Sequence, residues 1–305
     1  MLNRVRLTFI ISLIPLIIVS QEIKKDSIRL FYLGGQSNMD GFGKNMELPD
    51  SLKTEFENVW IFHGNPAPDE DGNAGLGFWS NLKPGHGYGF SSDGIQNKLS
   101  DKFGCELSFA KKLQKLYPNE KIALIKYSRG GTSLDSLAAG QFGSWDSDYK
   151  GLNGINQYDH FLKTVQSAFK DTDIDNNGKE DYLIPTGILW MQGESDAAYT
   201  EEIANEYYDN LLRLMYLIRA ALHKDDIPVV IGKISDSWNN ANGKVYKYGE
   251  IVQYAQEKYV RTDRHAGIVR NTRYYKYSDS WHYDSNGYID LGEKFAEAIY
   301  LLNRK

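Results

Sequence analysis

Residues 28–39 read Ile-Arg-Leu-Phe-Tyr-Leu-Gly-Gly-Gln-Ser-Asn-Met, and this stretch decides the fold. Its first half is apolar and aromatic apart from Arg29, short, and closed by two glycines, the pattern of a strand buried on both faces. Gly34 and Gly35 then allow a tight turn out of the strand, with Ser37 just beyond it. Similar apolar, β-branched runs recur at 59–62, 122–125, 187–191, 227–231 and 268–269. Helical patterns lie between them. Leu107, Ala110, Leu113 and Leu116 repeat at three-residue steps. Ile203, Tyr207, Leu211, Met215, Ile218 and Leu222 give one apolar face on a long helix, and Leu291, Phe295, Ala296 and Ile299 do so near the C-terminus. Strands alternating with helices predict an α/β three-layer sandwich, a central and mainly parallel sheet flanked by helices.

Composition narrows the class. Charged residues are 25% and hydrophobic ones 41%, which excludes disordered, collagen-like, coiled-coil and multi-span membrane chains. Cys105 is the one cysteine, so neither an intrachain disulfide nor a thiolate-rich zinc site can form. The net charge of −5 argues against a nucleic-acid partner. Twenty-one Tyr and six Trp exceed what a core needs and suggest a surface that stacks on ring-shaped ligands. Residues 1–20 carry Arg4 and Arg6, an apolar run and Ser20 at a cleavage point, the layout of a secretory signal peptide. The expectation is an exported protein, periplasmic or secreted, with no membrane association after cleavage. Residues 21–305 are expected to form a single domain, since no linker or repeat divides them. The oligomeric state is left open.

Ligands of parallel α/β sheets bind beyond the C-terminal strand ends. After the first strand comes Gln36-Ser37-Asn38, after the run at 122–125 comes Arg129-Gly130-Gly131-Thr132, and after 187–191 comes Gln192-Gly193-Glu194-Ser195-Asp196. Asp279 and His282 precede the last helix. This set suits nucleophilic catalysis. Ser37 is the candidate nucleophile, His282 its base, and Asp279, three residues earlier, the group that fixes the imidazole tautomer. The Gly131 backbone N–H and the Gln192 side-chain amide are candidate donors to an oxyanion, so Gln192→Ala is expected to slow turnover without unfolding the chain. The G-x-S-x-G elbow of common α/β-hydrolases is absent.

These segments resemble the SGNH-hydrolase superfamily, and within it the sialate O-acetylesterase branch that includes acetylxylan esterases of carbohydrate esterase family six. The likeness rests on Gly35 to Met39, on Gly130-Gly131-Thr132, on Trp190, Gln192, Gly193, Glu194 and Asp196, and on Asp279 with His282. Cys105 stands where that branch usually has Pro. The resemblance covers about residues 28–302 and implies an SGNH, flavodoxin-like fold. It implies a serine carboxylic-ester hydrolase: Ser37, His282 and Asp279 catalytic, with the Ser37 N–H, the Gly131 N–H and Gln192 as oxyanion donors. Gln36, Asn38, Gly130, Glu194 and Asp196 would support them. The implied substrate is an acetylated oligo- or polysaccharide, of plant type such as xylan, or an acetylated sialic acid, and no cofactor is required.

Phe78, Trp79, Tyr88, Phe90, Phe142, Trp145, Tyr199 and Trp238 lie in or near long loops, and two or three of them are expected to stack on sugar. Arg129 is expected to brace Glu194 or Asp196 rather than meet an acidic sugar. Asp173, Asp175 and Asn177, followed by Gly178, match the opening of a calcium loop, with Asp181 at position 9 and Ile184 where a Glu usually completes it. Any calcium there would be structural. Two other readings stay open: a non-catalytic carbohydrate-binding protein on the same scaffold, which the intact Ser37, Asp279 and His282 set disfavours, and a broader short-chain carboxylesterase or lipase, which the polar loops disfavour.

Overall fold

A computed structural model describes residues 27–151 and 154–304. The expected signal peptide lies outside the described residues. Among them, seven strands form the main sheet: β1 (Ser27–Gly35), β2 (Val59–His63), β3 (Ser80–Asn81), β4 (Lys121–Ser128), β5 (Tyr182–Met191), β6 (Val229–Gly232) and β7 (Ala266–Val269). Their order is β7-β6-β5-β1-β4-β2-β3. Every pairing is parallel except that of β2 with β3. The opening stretch of the sequence is thus the middle of the sheet. β1 lies between β5 and β4, with Gly35 level with both Met191 and Ser128. The loops after these three strands therefore leave from one rim.

The helices are α1 (Ser37–Asp40), α2 (Glu106–Leu116), α3 (Gln157–Ala168), α4 (Glu194–Ala198), α5 (Glu201–Ala221), α6 (Gly249–Thr262) and α7 (Ser285–Leu302). α2 and α7 pack together on one face of the sheet, where Phe31 meets Phe109 edge-on at 5.3 Å and Ile299 lies over Gly187. On the other face Tyr32 meets Phe161 of α3 at 4.8 Å. α5 buries Ile203, Tyr207, Leu211, Met215 and Ile218 on the face its sequence predicts, and packs against α6. Thr200 caps α5 and Asp284 caps α7, each side chain accepting an N–H of the first turn. No helix among the described residues is long and apolar enough to cross a membrane.

Two charges lie deep in this core. Lys126 of β4 and Glu106 of α2 are both fully buried and pair at 2.9 Å. Lys126 also donates to the carbonyls of Asp40 and His86, and Glu106 accepts the Gly104 N–H. The ammonium thereby ties the end of α1 and the 64–94 loop to the sheet. Next to it, burial pushes the Cys105 thiol up to about 12, and its Sγ sits 3.7 Å from Met39 Sδ. Removing one member of a buried pair leaves an uncompensated charge, at a cost of about 3–5 kcal/mol. Lys126→Met should therefore destabilise the protein by about that amount in urea unfolding, and adding Glu106→Gln should recover part of the loss.

Candidate active site

The site begins at Gly35. Its φ is +146°, and a Cβ there would fall 2.0 Å from the Met191 carbonyl, so the turn out of β1 admits only glycine. Ser37 follows as the first residue of α1, at the rim of a cavity of about 800 Å³. His282 lines the same cavity. Its Nδ1 lies 2.7 Å from Asp279 Oδ2, while the other Asp279 oxygen accepts the backbone N–H groups of Trp281 and His282 at 2.7 Å each. Burial alone would raise the Asp279 carboxyl, but these bonds outweigh it and hold the group below the usual carboxylate range. The imidazole also stacks on Phe42, with centroids 3.6 Å apart and planes 7° from parallel. One carboxylate and one ring fix its plane, which leaves Nε2 as its free nitrogen.

Asn38 brings the two halves together. Its Nδ2 donates to the Trp281 carbonyl at 3.1 Å, and its Oδ1 accepts the Tyr283 N–H at 3.3 Å. The residue after Ser37 is thus bonded to the chain on both sides of His282. Asn38 Nδ2 also donates to Glu194 Oε1 at 2.8 Å, and Oδ1 accepts from the Tyr288 hydroxyl at 2.8 Å. No hydrogen bond joins Ser37 Oγ to His282 in this state.

Gly130 and Gly131 also reach the cavity. A Cβ on Gly130 would stand 3.2 Å from that of Ser37, and its N–H is taken by Asp40 Oδ2 at 3.0 Å. Asp40 also accepts from Ser128 Oγ at 2.6 Å, so it fixes the loop after β4 against α1. Burial raises its carboxyl. The N–H groups of Ser37 and Gly131 have no acceptor among the described residues and are available to an oxyanion.

Gln192 departs from expectation. It is fully buried and does not line the cavity. Its Nε2 donates to Asp196 Oδ2 at 2.6 Å and to the Thr132 carbonyl at 3.2 Å, and its Oε1 accepts from the Tyr207 hydroxyl. Both amide protons are engaged, so the structure does not bring Gln192 to the oxyanion position. It braces Asp196, which is fully buried and also accepts the N–H groups of Leu134 and Asp135. Gln36 lines the cavity instead, with its Oε1 held by the N–H groups of Gly193 and Ser195 and its Nε2 without an acceptor among the described residues. Glu194 also borders the cavity. Burial pushes it up to about 7 and Asp196 up to about 6, while the Asn38 amide and the donors around Asp196 pull the other way.

Arg129 forms no ion pair with Glu194 or Asp196. It lines the cavity, its Nη1 reaches only the Pro66 carbonyl at 3.3 Å, and no carboxylate lies within 4.0 Å of it among the described residues. Of the loop aromatics, Tyr88, Phe90, Phe142 and Tyr199 line the cavity, whereas Trp79 and Trp145 are core residues and Phe78 is exposed elsewhere. Trp238 is exposed beside a smaller hollow of about 230 Å³ that shares Tyr246 with the cavity. Asp40, Phe42, His63, Tyr246 and Trp281 line the cavity without a sequence signal of their own, although Asp40 follows the Ser37 segment and Trp281 sits between Asp279 and His282. Asp173, Asp175 and Asn177 lie far from this rim, in the connection that enters β5.

The structure is a three-layer α/β sandwich with Ser37 just past its first strand and an Asp–His pair before its last helix. The family model of carbohydrate esterases described as sialic acid-specific acetylesterases matches residues 27–301, and the chain belongs to that family. It is a carboxylic-ester hydrolase. Three solved structures are similar in fold. An Arabidopsis thaliana protein is 20% identical with a TM-score of 0.60, over 90% of this chain and 97% of that one. A carbohydrate acetylesterase from Xanthomonas citri is 15% identical with a TM-score of 0.58, over 90% and 56%. NanS is 16% identical with a TM-score of 0.56, over 92% and 98%. No curated protein matches the sequence significantly.

Two outcomes follow from the buried acids. Gln192→Ala strips a donor from Asp196 and should cost about 1–3 kcal/mol in urea unfolding; a fall in kcat of about 10²–10³ at unchanged stability would return Gln192 to the oxyanion hole. Glu194 binds its proton more tightly folded than unfolded, so the stability it contributes is full below about pH 4 and is lost as pH rises through about 7. Relative to Glu194→Gln, the wild type should lose up to about 3 kcal/mol between pH 4 and pH 8, read from urea midpoints across that range.

Proposed function

We propose that the chain is an exported carbohydrate O-acetylesterase working through an acetyl-serine. Ser37 Oγ attacks the acetyl carbonyl while its proton passes to His282 Nε2. The carbonyl electrons move to oxygen, and that oxyanion faces the N–H groups of Ser37 and Gly131 and the Gln36 amide. Collapse expels the sugar hydroxyl, which takes the proton from His282. Water then repeats the sequence and releases acetate, with His282 again base and then acid. Asp279 stays ionised throughout and stabilises the imidazolium. The observation that carries this reading is the Asn38 bracket, which holds the Asp279–His282 pair over the cavity that Ser37 enters.

The cavity also favours one class of sugar. A guanidinium without a carboxylate partner, set among Tyr88, Phe142 and Tyr199, suits an acetylated sugar that brings its own carboxylate, such as a sialic acid or a uronic acid. The rings offer stacking surface for the sugar face.

Acetate release from O-acetylated sialic acid and acetylated pectin, xylan and mannan tests both parts. Ser37→Ala and His282→Ala should each lose about 10³-fold or more in kcat on every substrate. Arg129→Leu should lower kcat/KM about 10–100-fold on the acidic sugars and much less on the neutral ones. Activity retained in Ser37→Ala overturns the mechanism; equal rates on acidic and neutral sugars overturn the choice of substrate.

A further inference from the structure

One motif in the sequence has no part in the hydrolytic site. Asp173, Asp175 and Asn177 lie between α3 and β5, at the end of the sheet opposite the cavity. Lys121 begins β4 and Tyr182 begins β5, and Tyr182 is level with Ser27, where β1 begins. The connection therefore enters the sheet beside the N-terminal ends of its three middle strands.

One carboxylate oxygen from each of Asp173, Asp175 and Asp181 comes within 4.8 Å of the others. Acidic residues crowd together on many surfaces, but Asp181 is different. It is only 8% exposed, its Oδ2 accepts the Ile174 N–H at 2.8 Å, and its Oδ1 is buried with no partner. A buried carboxylate oxygen without a donor is costly, and a cation between the three acids would satisfy it. The other side chains are already arranged. Asp173 accepts the N–H groups of Asn177 and Gly178 at 2.9 Å each, and the turn at Gly178 has φ +80°. Asp175 accepts from Asn177 at 3.0 Å and pairs with Lys121.

We propose that Asp173, Asp175 and Asp181 form a calcium site that pins the α3–β5 connection to the sheet. All the donors are oxygens, which selects a hard cation over zinc or copper. Three carboxylates supply part of the six to eight ligands calcium takes, and the exposed side of the loop leaves room for water to complete them. Magnesium demands a tighter octahedron and keeps its water more firmly, so it should bind less well. Asp181 takes the place that Glu holds at position 12 of a longer loop; here position 12 is Ile184, already inside β5 and level with Arg29. Lys121 offsets one of the three negative charges, which points to a modest affinity. The site lies away from Ser37, so its ion acts on stability and leaves the chemistry alone.

Calorimetric titration of chelator-treated full-length protein with calcium chloride tests this, together with thermal unfolding in calcium, magnesium or chelator. Uptake of one calcium ion per chain is expected, with a Tm several degrees higher in millimolar calcium than in chelator. Asp181→Asn and Asp175→Asn should each weaken binding at least tenfold. No heat and no Tm shift in the wild type overturn the proposal, and so does magnesium binding as tight as calcium binding. Should either variant fail to fold, the wild-type titration decides alone. Acetate release by the wild type at low temperature should be equal with calcium and with chelator; an activity that requires calcium would overturn the purely structural role and leave the ester-hydrolase reading untouched.

Discussion

The active site hangs on the side chain of one residue, Asn38. A carboxamide has two protons to donate and one oxygen with two lone pairs, and Asn38, 1% exposed, uses all four. Its protons go to Glu194 and to the Trp281 carbonyl; its oxygen accepts from the Tyr283 N–H and the Tyr288 hydroxyl. Those partners come from the segment after β5, the loop of His282 and helix α7. No side chain without a carboxamide could do the same. Aspartate would lose both donors and bring a charge beside Glu194, and leucine would leave four buried groups unpaired.

Around that amide the acids sort into different tasks. Asp279 has enough donors to remain charged, which suits a group that steadies an imidazolium. Glu194 has one donor and an oxygen, Oε2, with none, and burial moves it toward the neutral form. Asp40 and Asp196 hold loops by accepting backbone N–H groups, one for the loop after β4 and one for the residues beyond it. Carboxylates are thus the mortar between rim loops. Their protonation follows from burial set against these donors: fully buried Asp196 is raised despite its three donors, whereas the more exposed Asp279 is lowered by three.

Much of this was legible in the sequence. Apolar, β-branched runs marked the strands of the sheet because their inner residues lie buried on both sides. β3 escaped notice because a strand of two polar residues has no periodicity to read. Helices α3 and α6 escaped because their buried faces include His160, Thr164 and Gln256 among the apolar residues, which blurs the pattern. Within the site, the reading placed Ser37, His282 and Asp279 on one rim. It failed at Gln192, since the spacing of a motif does not say whether a side chain turns toward the cavity or back toward Asp196. Phe42 under the imidazole was equally hidden, because stacking is a matter of where a loop returns in space.

The middle of the sheet carries a consequence for how the molecule forms. β1 pairs with strands that begin at Lys121 and Tyr182, so neither of its neighbours exists until much of the chain has been made. Joining ends so distant carries a high entropic cost, and parallel pairing gives no hairpin to begin from. Asn38 waits longer still, for residues near the C-terminus. A ribosome-bound fragment that ends before α7 already carries Ser37 and His282, yet it lacks Tyr288, one of the four partners that hold Asn38. Until helix α7 has been made, the carboxamide beside Ser37 is one partner short, so the rim takes its final arrangement late in synthesis.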